Sequence, residues 1–561
     1  MFCLQLMVVL FAIPGIILGH RTGHRENGYE VQDPKALLNQ AITALGGSDN
    51  IAALNDVTYV GQTILRGKTL MLAISLHGVD NAGVAAGRQN ITFAFDEPHI
   101  KQRVDRFAML GPAFTFGRAN LQPMDYSMVV KGGDKGFAAV VRGSYNLYNP
   151  GGEPTGYTDG LLAEYMISEA HKWDPLLISS ILSNSNFTFR QEEVGAGVQL
   201  KGVHDENLGI TVLFDPQTNL PNIIRSYEQH PFFGPSTHDL AVSNYIVVNG
   251  VQLPRRFKTI YNNKHLIGDY RADEVLANSQ ISSGLFSVPG NGTIPKTSIP
   301  IRDPEYSFAE IGETSALFLW GGAYTGSLDV LEATQPLADV PGLWVLSRDD
   351  PLGMRQAIIE LDDGSVIVLD APPHQSKIVM DWAKQTLGKP VTHVWPTHHH
   401  HDHAFGVVDF VASGAKLIVP EQAVHYYAGL KISNDDIITY KHGKPFILSD
   451  SRTRLALVDM KATVHAQDHG YAYIGRACPT SNSSTAVFDA DHGNLNFLET
   501  FDHAAVQELL DALASDGVAA NARFLASHGP AGTLEDVIGI ASYRYPDHSP
   551  KDFRFRSTRC F

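Results

Sequence analysis

The chain opens on a continuous apolar run, "LQLMVVLFAIPGIILG", at residues 4–19. It falls short of the roughly 20 residues a bilayer span needs, and Gln5 and Pro14 interrupt it. The run fits a secretory signal peptide over residues 1–19, although Met1-Phe2-Cys3 lacks the usual basic residue. An uncleaved membrane anchor is the less favoured reading. "DPKALLNQAITALGG" then carries a helical period, with Asp33 as N-cap, Pro34 in the first turn and Gly46-Gly47 as the stop. From about residue 56 to 290, β-prone runs such as "DVTYVGQTIL" and "DLAVSNYIVVNGVQLPRRFKTIYN" alternate with turn chemistry. The breaks at "DPQTNLP" and "VNG" mark hairpins, so this stretch predicts a twisted antiparallel sheet or part-barrel.

The rhythm changes after "SVPGNGTIPKTSIPIRDPEY", which is rich in Pro, Gly, Ser and Thr and reads as a linker. "GLWVLSR" and "RQAIIELDDGSVIVLDAP" are strand-like, the second folding back at Asp362-Asp363-Gly364. "QSKIVMDWAKQTLG" is an amphipathic helix stopped at Gly388. "VTHVW" and "KLIVP" read as strands, "FGVVDFVAS" and "EQAVHYYAG" as helices. Alternation of strand and helix predicts an α/β half. The expected domains are a β-rich unit at 20–290, a linker at 291–305, an α/β unit at 306–545 and a tail at 546–561.

Composition changes this picture little. The 561 residues are too many for one core, and 44% apolar with 18% charged content is that of a folded chain. A formal charge of −16 without a basic patch argues against nucleic acid as a partner. Secretion is consistent with the glycosylation sequons at Asn90, Asn186, Asn291 and Asn482. Once Cys3 leaves with the signal, Cys478 and Cys560 remain, either as a disulfide that staples the tail or as two free thiols. The scattered His99, His204, His230 and His238 are expected to be surface or structural residues.

The chemistry concentrates in "WPTHHHHDHAFG" at 395–406. A run of histidines at a terminus would be a tag, but this one is internal and continues into Asp402-His403. Alternate residues leaving a strand face one side, so His398 and His400 converge, while His399 and His401 turn away. A helix starting near Asp402 aims Asp402 and His403 at a neighbouring position. Imidazole and carboxylate suit a zinc-class ion. Further candidates follow at the ends of β-like runs: His465 or His469 in "TVHAQDHG", Asp489 or Asp491 in "STAVFDADHG", and His528 in "ARFLASHGPAG".

Taken together, "VIVLDAP", "THHHHDH", "VHAQDHG", "VFDADHG" and "SHGPAGTLEDV" resemble the metallo-β-lactamase superfamily over roughly residues 310–545. The resemblance implies an αββα sandwich, here preceded by a mainly antiparallel β domain. It implies two zinc ions per chain. His398, His400 and His465 would hold one; Asp402, His403 and His528 would hold the other; Asp491 would bridge them. His465 and Asp491 are preferred over His469 and Asp489 on the same ground. Asp370 would orient a ligand histidine. Two such ions activate water for attack on a carbonyl carbon, with Asp402 or Asp491 moving the proton. The implied enzyme is a secreted hydrolase of an ester, lactone, lactam or thioester, acting on a small molecule.

Three rivals share these residues: an alkyl sulfatase or phosphodiesterase on the same fold, an iron-dependent redox enzyme, and a non-catalytic binding protein for a lipid or metabolite. The last draws on "LLNQAITALGGSDNIAALNDVTYVGQ", which is similar to the opening of secreted lipoprotein-carrier-like domains. Aromatic residues close in sequence to the histidine run (Trp320, Tyr324, Trp395, Phe405, Tyr426, Tyr427) fit either a partly apolar pocket or core packing.

Overall fold

The computed structural model describes residues 33–68, 84–110, 124–144, 155–158, 160–282 except 231, 284–288, 294, 328–348, 354–557 except 373–374, 431, 462 and 496–502, and 560. The apolar run at 4–19, Asn291, nearly all of the linker at 291–305, Trp320 and Tyr324 lie outside the described residues.

Helix Pro34–Leu45 forms as its caps dictate. The Asp33 carboxylate accepts from Lys35 N at 3.0 Å, and Gly46 ends the helix at φ +120°. A Cβ at Gly46 would stand 2.1 Å from the carbonyl oxygen of Gly250, so only glycine lets the helix end reach the "VNG" turn. That turn places Asn249 and Gly250 at φ +50° and +82°, the two positive angles a two-residue hairpin needs.

The β-rich half is a fourteen-stranded antiparallel sheet. Asp56–Lys68 lies at its centre. One wing runs through Val84–Ala94, Lys101–Leu110, Met124–Lys131, Phe137–Ser144 and Gly156–Tyr157. The other runs through His265–Arg271, Val251–Tyr261, Gly234–Val248, Pro221–His230, Ile210–Phe214, Gln199–Asp205 and Phe187–Glu193, and the fourteenth strand, Glu274–Ala277, pairs with Asp56–Lys68 off this path. Helix Pro34–Leu45 packs with two further helices, Gly160–Trp173 and Leu177–Asn184, into the core of this sheet. These two break the uniform β texture expected for 56–290. Leu162, Tyr165, Met166 and Ala170 recur at helical spacing and are buried, and sheet burial of that stripe fixes the helix. Tyr59, Trp173, Ile178 and Phe257 line an apolar cavity beneath Leu177–Asn184. Burial pushes the carboxyl of Asp174, on the same wall, up to about 6.

The second half stacks two sheets. The first has the order Leu331–Thr334, Leu343–Arg348, Arg355–Glu360, Val366–Leu369, His393–Trp395, Lys416–Pro420, Ile437–Tyr440, and its last four strands are parallel. The second has the order Phe446–Ser449, Thr453–Asp459, Gly470–Arg476, Thr485–Asp489, Arg523–Ala526, Gly532–Thr533. Side chains alternate across each strand. Ile359, Ile367, Leu369 and Trp395 meet Leu455, Leu457, Ile474 and Phe488 between the sheets. Ile358, Val368 and Val394 face outward onto Val379, Trp382 and Phe410 of helices Ser376–Trp382 and Val407–Ala412. Leu509, Leu510 and Leu513 of helix His503–Ser515 cover the far side. The result is an αββα sandwich.

Two local expectations change form. Helix Ser376–Trp382 finishes as a π-helical turn, Ala383–Leu387, before Gly388 at φ +66°. "EQAVHYYAG" winds as a 3₁₀ helix, Glu421–Leu430, whose tighter pitch places Ala423, Tyr426, Tyr427 and Leu430 inside. The tail packs onto the second sheet. Phe553 stacks on Tyr473 at 3.7 Å, and Cys560 is disulfide-bonded to Cys478.

Candidate metal centre

Every candidate ligand reaches one edge of the sandwich. His398 and His400 sit in the turn after strand His393–Trp395, and Asp402 and His403 in the short helix His401–Ala404. His465 lies in the connection from Thr453–Asp459 to Gly470–Arg476. Because those strands are antiparallel, the end of one and the start of the next share the edge. Asp491 follows Thr485–Asp489, and His528 follows Arg523–Ala526. Gly470 joins the two sheets here: its N–H donates to Thr397 O at 2.9 Å. A Cβ at Gly470 would meet Val458 O at 2.5 Å.

The ligand atoms form two groups that share Asp491. In the first, His465 Nε2 stands 3.2 Å from His398 Nε2 and 3.1 Å from His400 Nδ1. In the second, His528 Nε2 stands 3.2 Å from both Asp402 Oδ2 and His403 Nε2. Asp491 Oδ2 is 3.3 Å from His398 Nε2, 3.1 Å from His465 Nε2 and 3.0 Å from His403 Nε2. Asp491 Oδ1 is 3.3 Å from His528 Nε2. Atoms bound at about 2.0–2.1 Å to one tetrahedral ion stand roughly 3.3 Å apart, so these groups have the spacing of donors around an ion. A nitrogen pair at 3.1–3.2 Å needs one ring to donate and the other to accept, whereas a cation at the centre of each group would take a lone pair from every ring.

Charge follows from burial and neighbours. Burial drives His398 and His400 well below the ordinary imidazole range, and adjacent imidazoles add to it, so both present lone pairs. For His403 burial again opposes charge, but Asp402, Asp491 and Asp370 outweigh it and raise the ring well above its ordinary value. Burial would raise Asp402 and Asp491, yet the imidazoles around them hold both well below the carboxylate range. Asp402 Oδ1 is buried without a hydrogen-bond partner among the described residues.

Around this lies a supporting layer. Asp370 Oδ2 sits 2.9 Å from His403 Nδ1, and its Oδ1 accepts from Thr397 N at 2.7 Å, the orienting place expected for it. His399 and His401 face away from both groups. His399 Nδ1 is 2.7 Å from Asp468 Oδ1, and its ring lies 4.1 Å from that of Tyr426. His401 stacks on Phe232 of the β-rich half, with centroids 4.6 Å apart and planes within 2°. Burial takes His401 down to about 3. Trp395 is buried between the sheets, and Phe405 packs on Phe232, so both serve the core.

The sequence reading did not single out Asp468 or His492. The signal for Asp468 was its place in "AQDHG"; that for His492 was a histidine one residue past Asp491, the carboxylate the two groups share. His469 and Asp489 fall in neither group above; they meet His492 in a third.

Residues 356–476 match the family model described as the metallo-beta-lactamase superfamily, so the superfamily resemblance and its αββα fold stand. Two curated relatives carry the description hydroxyacylglutathione hydrolase. The one from Erythrobacter litoralis is 31% identical over 119 residues, which is 20% of this chain and 43% of the relative. The one from Maricaulis maris is 28% identical over the same shares. The chain therefore spans less than half the length of the curated relatives it matches. Among solved structures, a metallo-beta-lactamase from Pontibacter korlensis aligns at 17% identity with a TM-score of 0.28, over 38% of this chain and all of that one.

Proposed function

We propose that the protein is a secreted hydrolase that works with two zinc ions, held by His398, His400, His465 and Asp491 and by Asp402, His403, His528 and Asp491. The observation that carries this reading is the shared carboxylate: both oxygens of Asp491 face imidazoles, and Oδ2 stands within 3.3 Å of nitrogens from both groups. Imidazole and carboxylate donors without thiolate favour zinc over softer-ligand metals. When bound, such a pair lowers the pKa of water towards about 7 and polarises a carbonyl.

The chain's own residues supply the rest. Among the described residues Asp402 Oδ1 has no hydrogen-bond partner while Oδ2 faces His403 and His528, which leaves a carboxylate oxygen to take a proton from water. Asp370 fixes the His403 ring. The substrate class is an ester, lactone, lactam or thioester. The name of the curated relatives puts an S-acyl thioester first in the order of testing. Secretion is proposed on the N-terminal apolar run and on the Cys478–Cys560 bond, which persists in an oxidising compartment. The apolar cavity beneath Leu177–Asn184 supports a second role for the β-rich half, binding an apolar group.

The test is a panel of thioesters, lactones, esters and lactams offered to the full chain and to His400→Ala and Asp491→Ala. Turnover of at least one class should fall in both variants by on the order of 10²-fold or more, beyond what loss of a supporting residue costs, while circular dichroism stays unchanged. Full activity in both folded variants would refute the assignment.

A further inference from the structure

Next to the paired site lies a third convergence of donors. His469 Nε2 is 3.1 Å from Asp489 Oδ1, His492 Nδ1 is 3.2 Å from the same oxygen, and the two nitrogens are 3.2 Å from each other. All three side chains are wholly buried. Without an ion, the two rings can only converge on the one oxygen Asp489 Oδ1 while their nitrogens stand 3.2 Å apart. A cation at the apex makes all three contacts attractive, and the edges match the roughly 3.3 Å expected of donors sharing an ion. The far nitrogens, His469 Nδ1 and His492 Nε2, have no hydrogen-bond partner among the described residues, so the polar side of each ring is committed to the triangle. Asp489 Oδ2 is held separately by His492 N at 2.9 Å, which leaves Oδ1 aimed at the imidazoles. The two imidazoles are its ion-pair partners among the described residues. A buried carboxylate is costly without a counter-charge, and an ion would supply one.

We infer that His469, Asp489 and His492 form a third metal site, which takes a zinc-class divalent ion as a structural clamp. Its ligands bracket those of the paired site. His469 is four residues past His465, and the His469 ring stacks on His398 at 4.6 Å. Asp491 lies between Asp489 and His492 in one turn. An ion here ties the connection that presents His465 to the turn that presents Asp491, and fixes both without meeting substrate. This goes beyond the two-ion reading and does not depend on catalysis.

The experiment is anomalous diffraction at the zinc edge from crystals of the full chain grown with zinc, together with metal content of His492→Ala and Asp489→Asn. Three peaks are expected, one within bonding distance of His469 Nε2, Asp489 Oδ1 and His492 Nδ1. Each variant should lose one ion, keep the other two, and release those two to a chelator faster than the unaltered protein. An empty triangle beside two filled positions, with unchanged metal content in the variants, would overturn the clamp and leave the pair standing. Loss of every peak would overturn both. If the variants do not fold, the peak at the triangle decides alone.

Discussion

Asp370 shows how much one side chain sets at this centre. It is fully buried at φ +63°, a left-handed angle that aspartate tolerates better than most residues. Its N–H donates to Trp395 O at 2.9 Å, its carbonyl accepts from Gln356 Nε2 at 2.7 Å, and its two carboxylate oxygens take Thr397 N and face His403 Nδ1. Asp370→Asn keeps the size but replaces one acceptor by a donor. Affinity for the ion of the Asp402–His403–His528 group should fall about 10–100-fold, measured by competition with a chelator. Unchanged affinity would mean that Asp370 does not orient His403. At this scale much was legible in the sequence. Strand-exit alternation separated His398 and His400 from His399 and His401, because backbone geometry alone decides which way neighbours point. His492 was not legible, because the return of a turn onto His469, 23 residues earlier, is set by tertiary packing.

Among the elements, the turn between Pro221–His230 and Gly234–Val248 couples the two halves. Phe232 lies flat on His401 and edge-on to Phe405, and a Cβ at Gly429 would stand 1.5 Å from the Phe232 carbonyl oxygen. The backbones therefore meet where only glycine fits. Phe232→Ala empties a buried site behind the histidine loop. It should cost about 3–5 kcal/mol in denaturant unfolding and speed metal release. A stable variant with unchanged release would show that the contact is incidental. This wedge was hidden in the sequence, since it joins residues far apart in the chain. Helix Gly160–Trp173 was hidden for another reason: its stripe of Leu162, Tyr165, Met166 and Ala170 was present but lay inside a long stretch of strand texture. Helix Pro34–Leu45 was readable from its caps Asp33 and Gly46, and the elements before the histidine loop from Gly388 and the Asp362-Asp363-Gly364 turn that punctuate them.

The whole molecule holds its chemistry at one edge of an αββα sandwich and leans a large antiparallel sheet against the back of that edge. The disulfide between Cys478 and Cys560 closes the tail over the second sheet. The second half could be read in outline because donor residues recur at strand ends. The first half yielded its β character but not how it docks. Everything proposed about activity rests on ions at the groups that share Asp491. The most direct measurement is metal content per chain of the mature protein, purified without chelators, by plasma mass spectrometry. The account predicts at least two zinc-class ions per folded chain, and three with the clamp filled. A folded, monodisperse protein that carries less than one ion and takes up none from added zinc would contradict it.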